Sequence, residues 1–420
     1  MTDPLRIAIV GYGTAGQACA ALLARRGHAL DVFERAPMLG PVGAGLLLQP
    51  TGMAVLHGLG VLDDAIRSGR IVRRLFGDTC AGRCVMDMRY SELDARLFGV
   101  GIQRGALFEL LGRAWPGRAG VRCGTRVVAV DAERGLVRSA TGEAFGPYDL
   151  VLVADGAAST LRGATGPARI DQPYPWGALW CLVPMGDWPH ADELRQRYLA
   201  ARKMIGLLPV GTRPDDPVPR LSFFWSLPMQ SMAGWETDGI DAWKAELAAL
   251  WPDVLPRLAQ VTATTQLARA SYRDAAPRAW HRGRVVLVGD AAHAMSPQLG
   301  QGVNMALMDA QALDAALAAH ACVAQALGAY ERERRAHVGI YHFWSRWLTP
   351  IFQSDLDTLA ALRDRLFHPL GRLPGGRGTM LRVLSGTQRG WLGRLRLHED
   401  LLATLARHAD ADARSATMPA

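Results

Sequence analysis

The first 34 residues constrain this chain more than any other stretch. RIAIV (6–10) reads as a buried strand, GYGTAG (11–16) follows at once, and a small-residue helix, QACAALLARRGH, leads to a second apolar run, ALDVFE (29–34). Strand, glycine turn, helix and strand form a complete β-turn-α-β unit. Gly11, Gly13 and Gly16 stand in G-x-G-x-x-G spacing, with Ala15 inside the motif. In such a motif the first glycine makes the turn, the second admits a pyrophosphate to the backbone, and the third lets helix and strand pack closely. The helix N-terminus offers unpaired N–H groups to phosphate. Glu34 closes the second strand, where an acid accepts hydrogen bonds from an adenosine ribose. Together these elements predict a dinucleotide site. They do not separate NAD from FAD. Arg35 reads either as a partner for a 2′-phosphate or as a surface residue.

The same style returns twice. YDLVLVADGAAS (148–159) is a strand ending in Asp155 and Gly156, with Ser159 and Arg162 beyond it. RVVLV (284–288) runs into GDAAHAMSPQLGQGVN (289–304), where one acid, Asp290, is followed by a dozen mostly small residues. A turn needs two or three such residues. The rest of the stretch reads as backbone shaped for the close approach of something large.

Between these motifs the character changes. Residues 170–275 hold seven of the twelve tryptophans, and alternating segments such as LSFFWSL (221–227) predict an antiparallel sheet. PVGTRPDDPVP (209–219) reads as a hairpin loop, and GIQRGALFELLGRAW (101–115) as a helix. Beyond 300 the pattern is helical to about 408, and the tail DADARSATMPA (410–420) is expected to be disordered. The expected fold is therefore α/β: a Rossmann-type cofactor-binding domain assembled from separated segments, an inserted, mostly antiparallel substrate sheet, and a C-terminal helical region. The expected boundaries are 1–168 and 276–330 for the cofactor domain, 169–275 for the substrate domain, and 331–420 for the helices.

Charge and cysteine usage exclude several classes. Net charge is +8, nearly all from arginine, because Lys203 and Lys244 are the only lysines. No basic block of the nucleic-acid kind occurs; YERERR (330–335) interleaves acids. Six cysteines are scattered, and only Cys80 and Cys84 are close, so no zinc spacing is complete and no metal is expected. No signal peptide and no membrane span is read, and the expected setting is reducing and cytoplasmic.

Three motifs in this order, near residues 11, 155 and 289, resemble the class A FAD-dependent aromatic monooxygenases, of the p-hydroxybenzoate hydroxylase-like fold. The resemblance covers most of residues 5–335. It implies that Gly11, Gly13, Ala15, Gly16, Glu34 and Arg35 lie at the ADP half of FAD. It implies that Arg104 contacts the cofactor, and that Asp155 and Gly156 flank the ADP side and the approach of NAD(P)H. Asp290 would bind a ribityl hydroxyl and Pro297 would flank the flavin ring. Gly300 and the backbone of Gly302, Val303 and Asn304 would face the ring's carbonyl edge. His293 is read as structural or on the pyrophosphate side rather than as a proton-transfer group. Asp309 is read as a helix residue that matters less to FAD than Asp290.

The activity so implied is hydroxylation of a small aromatic compound with O₂ through a flavin C4a-hydroperoxide, with NADH or NADPH as a transient electron donor. No second strand–glycine–helix unit exists to hold a resident nicotinamide. Trp180, Met204, Phe223 and Trp225 are candidates for the substrate pocket, and Arg195, Arg197 and Arg202 for pairing a carboxylate. No side-chain acid or base is assigned. An FAD-dependent oxidase, dehydrogenase or reductase without oxygen insertion stays open, as does a non-enzymatic flavin-binding protein. A halogenase is disfavoured, because its Trp-x-Trp-x-Ile-Pro stretch is absent. A monomer or homodimer is expected.

Overall fold

A computed structural model describes residues 3–40, 43–373 and 375–417. Its first sheet has the order His281–Arg282, Val285–Leu287, Leu150–Val153, Arg6–Val10, Ala29–Phe33, parallel throughout except at the first pair. The three central strands are buried on both faces, which is why RIAIV, LVLV and VVL carry no polar alternation. Helices Thr14–Arg25 and Gly302–Ala319 pack against each other beside it. The segments that build this sheet are separated by more than a hundred residues of other structure.

The second sheet has seven strands in the order Ala268–Pro277, Ala168–Pro184, Asp216–Pro228, Lys203–Arg213, Glu193–Leu199, Arg74–Thr79, Cys84–Arg89. All its neighbours are antiparallel except Glu193–Leu199 with Arg74–Thr79. The last two strands come from within the first segment of the chain. The 209–219 stretch is strand on both sides of a turn at residues 214–215, tighter than its Pro and Gly content indicated. One face of this sheet packs under the helix Met232–Leu250, through Leu221, Phe223, Trp225 and Leu227 against Trp235, Trp243 and Leu247. The other face carries Ser222, Phe224 and Ser226 towards the rest of the molecule.

Two elements differ from the sequence reading. The helix expected over 101–115 is Arg104–Arg113, because Gly99–Gln103 pairs with Gly45–Leu48 as a strand. The tail forms a helix, Glu399–Thr417, tied to the first segment by an Arg73–Asp412 ion pair of 2.9 Å. Met418, Pro419 and Ala420 lie outside the described residues, as do Pro41 and Val42 of the 41–52 glycine-rich stretch.

Candidate active site

The three glycine motifs converge. Gly11 leaves the first strand at φ +100°, and a Cβ there would lie 2.5 Å from the Ala154 carbonyl oxygen and 3.0 Å from the Asp155 Cα. A Cβ on Gly16 would collide with the Gly11 carbonyl oxygen. Around Gly13 nothing lies within 4 Å of the same position. Two glycines are thus fixed by protein atoms, while the middle one faces open space, as a pyrophosphate cradle requires. Gly13 also caps the helix without a side-chain hydrogen bond, so the first-turn N–H groups have no side-chain cap.

Glu34 holds the rim of this cradle. Its carboxylate accepts the Tyr12 N–H at 2.8 Å and the Ala36 N–H at 2.9 Å. A carboxylate has about four acceptor sites, so two remain for a ligand. Arg35 is exposed and lies close enough to Asp155 to favour its ionised form. Burial nevertheless dominates and raises the Asp155 pKa; one of its oxygens is buried without a hydrogen-bond partner among the described residues.

Arg162 fastens the second motif to the third. Its buried guanidinium donates to the carbonyls of Ala157 and Ala291 at 2.8 Å each, to that of Asp290 at 3.2 Å, and to the Asp171 carboxylate at 3.0 Å. Asp171 belongs to the second sheet, so one side chain binds both motifs and the sheet together.

Asp290 is exposed at the start of a short helical turn, with a carboxylate oxygen 3.8 Å from where a Cβ on Gly302 would be. Behind it, Asp309 is fully buried and accepts the Gly289 N–H, the His293 ring at 2.5 Å and the Arg334 guanidinium at 2.6 Å. His293 and Arg334 hold the Asp309 pKa down to about 2 against the opposing effect of burial. His293 is thereby committed to a buried network with Asp309. Asp309 is the centre of that network, a weight the sequence reading did not give it.

The turn after it is equally supported. Pro297 opens a 3₁₀ turn, Gly300 adopts φ +60°, and Gly302 begins the long helix. Gly300 and Gly302 are exposed and Val303 is half-buried. The Asn304 side chain is buried, accepting the Gln49 N–H at 2.9 Å and donating to the Leu47 carbonyl, so only its backbone is available to a ligand. The preceding Ser296 bonds Ser345 at 2.5 Å, and Gln298 donates to Gln353 at 2.6 Å. The helix Val323–Phe352 therefore pins the Pro297 turn, a role invisible in its sequence.

Arg104 is exposed at the start of its helix and lies along Gly43, where a Cβ would come within 2.8 Å of the arginine Cδ. It also reaches the field of Tyr272 in the second sheet. Beside Tyr272, the Trp180 indole N–H donates to the tyrosine hydroxyl at 3.3 Å, and Trp180 packs on Phe224 with ring centres 5.2 Å apart. Met204 and Phe224 share a cluster with Phe352.

Of the four expected pocket residues, Trp180 and Met204 lie on this face. Phe223 and Trp225 do not: they sit on the opposite face, in edge-to-face contact with Trp243. A strand alternates sides at every residue, and the sequence did not reveal which parity faces the cofactor motifs. Tyr174 and Tyr272, which sequence reasoning missed, carry no signal beyond being tyrosines in strands. The three arginines offered for a carboxylate are already paired, Arg195 with Glu193, Arg197 with Asp78 and Arg202 with Asp357. Cys84 lies 3.6 Å from His368, and no group of His, Cys, Asp or Glu among the described residues could hold a metal.

An open cradle at Gly13, an uncapped helix start, an orphaned buried oxygen on Asp155 and an exposed acid at Asp290 define a dinucleotide-binding protein, and the residues present fit FAD. Comparison with known proteins agrees. The FAD binding domain family matches residues 5–340. Kynurenine 3-monooxygenase of Salinispora arenicola is 31% identical over 87% of this chain and 82% of its own length. 3-Amino-4-hydroxybenzoate 2-monooxygenase of Streptomyces cremeus is 33% identical over 83% and 88%. The crystal structure of Klebsiella pneumoniae HpxO complexed with FAD and uric acid superposes with a TM-score of 0.77 at 24% identity, over 92% of this chain and 98% of that one, and shares the fold. The chain belongs to the FAD binding domain family, among its FAD-dependent aromatic monooxygenases. It is an FAD-dependent enzyme that hydroxylates an aromatic compound with NAD(P)H and O₂.

Proposed function

We propose that the aromatic substrate binds between the 297–304 turn and the face of the second sheet that carries Trp180, Met204, Phe224 and Tyr272. One observation carries this reading: the Ala275 N–H donates to the Ala294 carbonyl at 2.9 Å, so the strand Ala268–Pro277 that carries Tyr272 is tied directly to the turn that follows Asp290.

In this arrangement Gly11, Gly13, Ala15, Gly16, Glu34 and Arg35 hold the ADP half of FAD. Asp155 and Arg104 bound it, and Asp290 accepts a ribityl hydroxyl. Pro297, Gly300 and the backbone of Gly302, Val303 and Asn304 meet the ring. When bound, FAD supplies the electron storage and oxygen activation that side chains lack. The chain's own residues do the rest. The positive end of helix Gly302–Ala319 favours negative charge beside it. Trp180 and Phe224 offer apolar area that excludes water from an aromatic ring. The Tyr272 hydroxyl accepts from Trp180, and burial raises its pKa, so its proton stays in place to donate to an oxygen of the substrate. Tyr174, held at 3.1 Å by Thr349 and Gln353, closes the side towards the long helix.

The substrate domain of 169–275 is proposed to act with the borrowed strands of residues 74–89, in a cytoplasmic monomer or homodimer. The named relatives act on kynurenine and on an aminohydroxybenzoate, so the panel to test consists of amino- and hydroxy-substituted aromatic acids. NADH and NADPH oxidation is followed with each compound under ¹⁸O₂, with product mass. A compound that accelerates nicotinamide oxidation and gains one labelled oxygen supports the reading. Acceleration without incorporation across the panel overturns it.

A further inference from the structure

Fifteen large apolar side chains are exposed among the described residues, and ten of them fall between residues 343 and 392. The helix Asp357–Gly371 is turned the wrong way round for a core element. Ala360 and Arg363 are buried, while Leu359, Leu362, Leu366 and Leu370, spaced three and four residues apart along one face, are exposed, and Leu373 continues the line. A second feature adds to it. The short hairpin of Gln388–Arg389 and Gly393–Arg394 carries Trp391 and Leu392 at its tip, with Leu392 99% exposed. Trp391 stacks edge-on against the exposed Phe343 at 4.8 Å, one turn before the exposed Trp347. The helix Gly376–Leu384 packs against both the leucine helix and the hairpin strand Gln388–Arg389, so both border the same short helix.

Scattered apolar side chains need no explanation, but a contiguous concentration of this kind marks a docking surface. Charge decides what docks. Residues 343–396 contain nine arginines against three aspartates. Arg365, Arg372, Arg389, Arg394 and Arg396 are exposed with no ion-pair partner among the described residues, whereas Asp357 pairs with Arg202 and Asp364 with Arg363. A second copy of this chain would bring the same positive surface against itself. An anionic lipid surface would not. Exposed leucines, tryptophans and unpaired arginines gathered in one stretch of about fifty residues are the composition of an element that lies in a bilayer interface. No helix among the described residues is long and apolar enough to cross a membrane, so the contact is peripheral.

We propose that the face formed by helix Asp357–Gly371 and the Trp391–Leu392 hairpin tip docks the enzyme on the surface of an anionic lipid bilayer.

The test is flotation of the FAD-loaded protein with vesicles of phosphatidylcholine alone or mixed with phosphatidylserine, at low and high salt. The parent should float with the mixed vesicles, weakly with the neutral ones, and less at high salt. Leu362→Gln with Leu366→Gln, Trp391→Ser with Leu392→Ser, and Arg389→Glu with Arg394→Glu should each lower the bound fraction by roughly tenfold in partition. Val218→Ser, exposed beside the turn at residues 214–215 of the second sheet, should not. FAD content and melting temperature report that each variant is folded. No binding to anionic vesicles, or equal binding by the charge-reversed variant, overturns the proposal. So does a parent that sediments as a dimer without lipid and becomes a monomer in the leucine variant, which would assign the face to a second copy.

Discussion

The Asp309 carboxylate accepts the backbone N–H of Gly289 at 2.8 Å, across from a different helix. Gly289 sits at φ +63°, and the next residue is Asp290. The position of the exposed acid is therefore set by the buried one. Asp309→Ala removes three bonds and leaves Arg334 buried without its carboxylate. Breaking a buried pair in this way costs about 3–5 kcal/mol. Denaturant melts should show that loss, together with loss of bound FAD. A variant as stable as the parent would remove Asp309 from its place at the centre of the site.

Asp290→Ala is the complementary case. Its carboxylate supports no buried network, so the apo-protein should melt as the parent does. Losing an acceptor for a ligand hydroxyl should weaken FAD by roughly 1.5–3 kcal/mol, or about ten- to a hundredfold in Kd. Titration of apo-protein with FAD measures it. Nicotinamide oxidation should also release more hydrogen peroxide per product. Unchanged affinity and coupling would detach Asp290 from the cofactor.

Gly13→Val and Gly16→Ala separate ligand from fold. A side chain at Gly13 enters open space, and its φ of −75° suits any residue, so the variant should fold and fail to take up FAD. A methyl group at Gly16 meets the Gly11 carbonyl oxygen, so that variant should lose stability even without cofactor. Circular dichroism melts of both apo-proteins, with flavin absorbance after reconstitution, distinguish the two.

The two faces of the second sheet give opposite phenotypes. Trp225→Ala opens a cavity under helix Met232–Leu250 and should cost about 3–5 kcal/mol, with little change in KM for the aromatic substrate. Tyr272→Phe should leave stability near that of the parent and raise KM or uncoupling. Steady-state kinetics and melts on both variants check the assignment of faces. A kinetic defect in Trp225→Ala with normal stability would reverse it.

Acid should destabilise the protein from about pH 6.5 downwards. Burial first, then the neighbouring Arg334 guanidinium, lowers the His337 pKa to about 3, against about 6.5 in an unfolded chain. Between those values the unfolded state binds a proton that the folded state refuses, so stability falls as pH falls through the window. Asp309, held at about 2, adds a further loss between roughly pH 4 and 2 as its carboxylate protonates. His337→Gln should flatten the upper part of the curve. Melting temperatures across pH 4–8 that run parallel for the two proteins would contradict this.

Much of the cofactor site was legible because its residues act through the backbone. Gly11 and Gly16 are demanded by local sterics that any chain of this spacing meets, and RIAIV states its burial in five letters. Asp309 and Arg334 were not legible. They are polar residues in amphipathic helices, and their meaning comes from partners 20 and 25 residues away. Trp180 and Trp225 looked alike for another reason. Residues of a strand declare alternation but not its sign, and the sign was set by the helix Met232–Leu250, which the aromatic-rich sequence concealed among its strands.

The Arg162 guanidinium, bonded to residues 157, 171, 290 and 291, carries a consequence for biosynthesis. The strand Val285–Leu287 must join one that left the ribosome over a hundred residues earlier, and the clamp cannot close until it does. Such long-range parallel pairing is slow and leaves sheet edges unpaired meanwhile. The nascent chain thus carries a complete G-x-G-x-x-G turn from its first moments with no finished pocket to put it in. Cofactor availability should matter at the end of translation, when FAD can bind the closed form and draw the last segments into place.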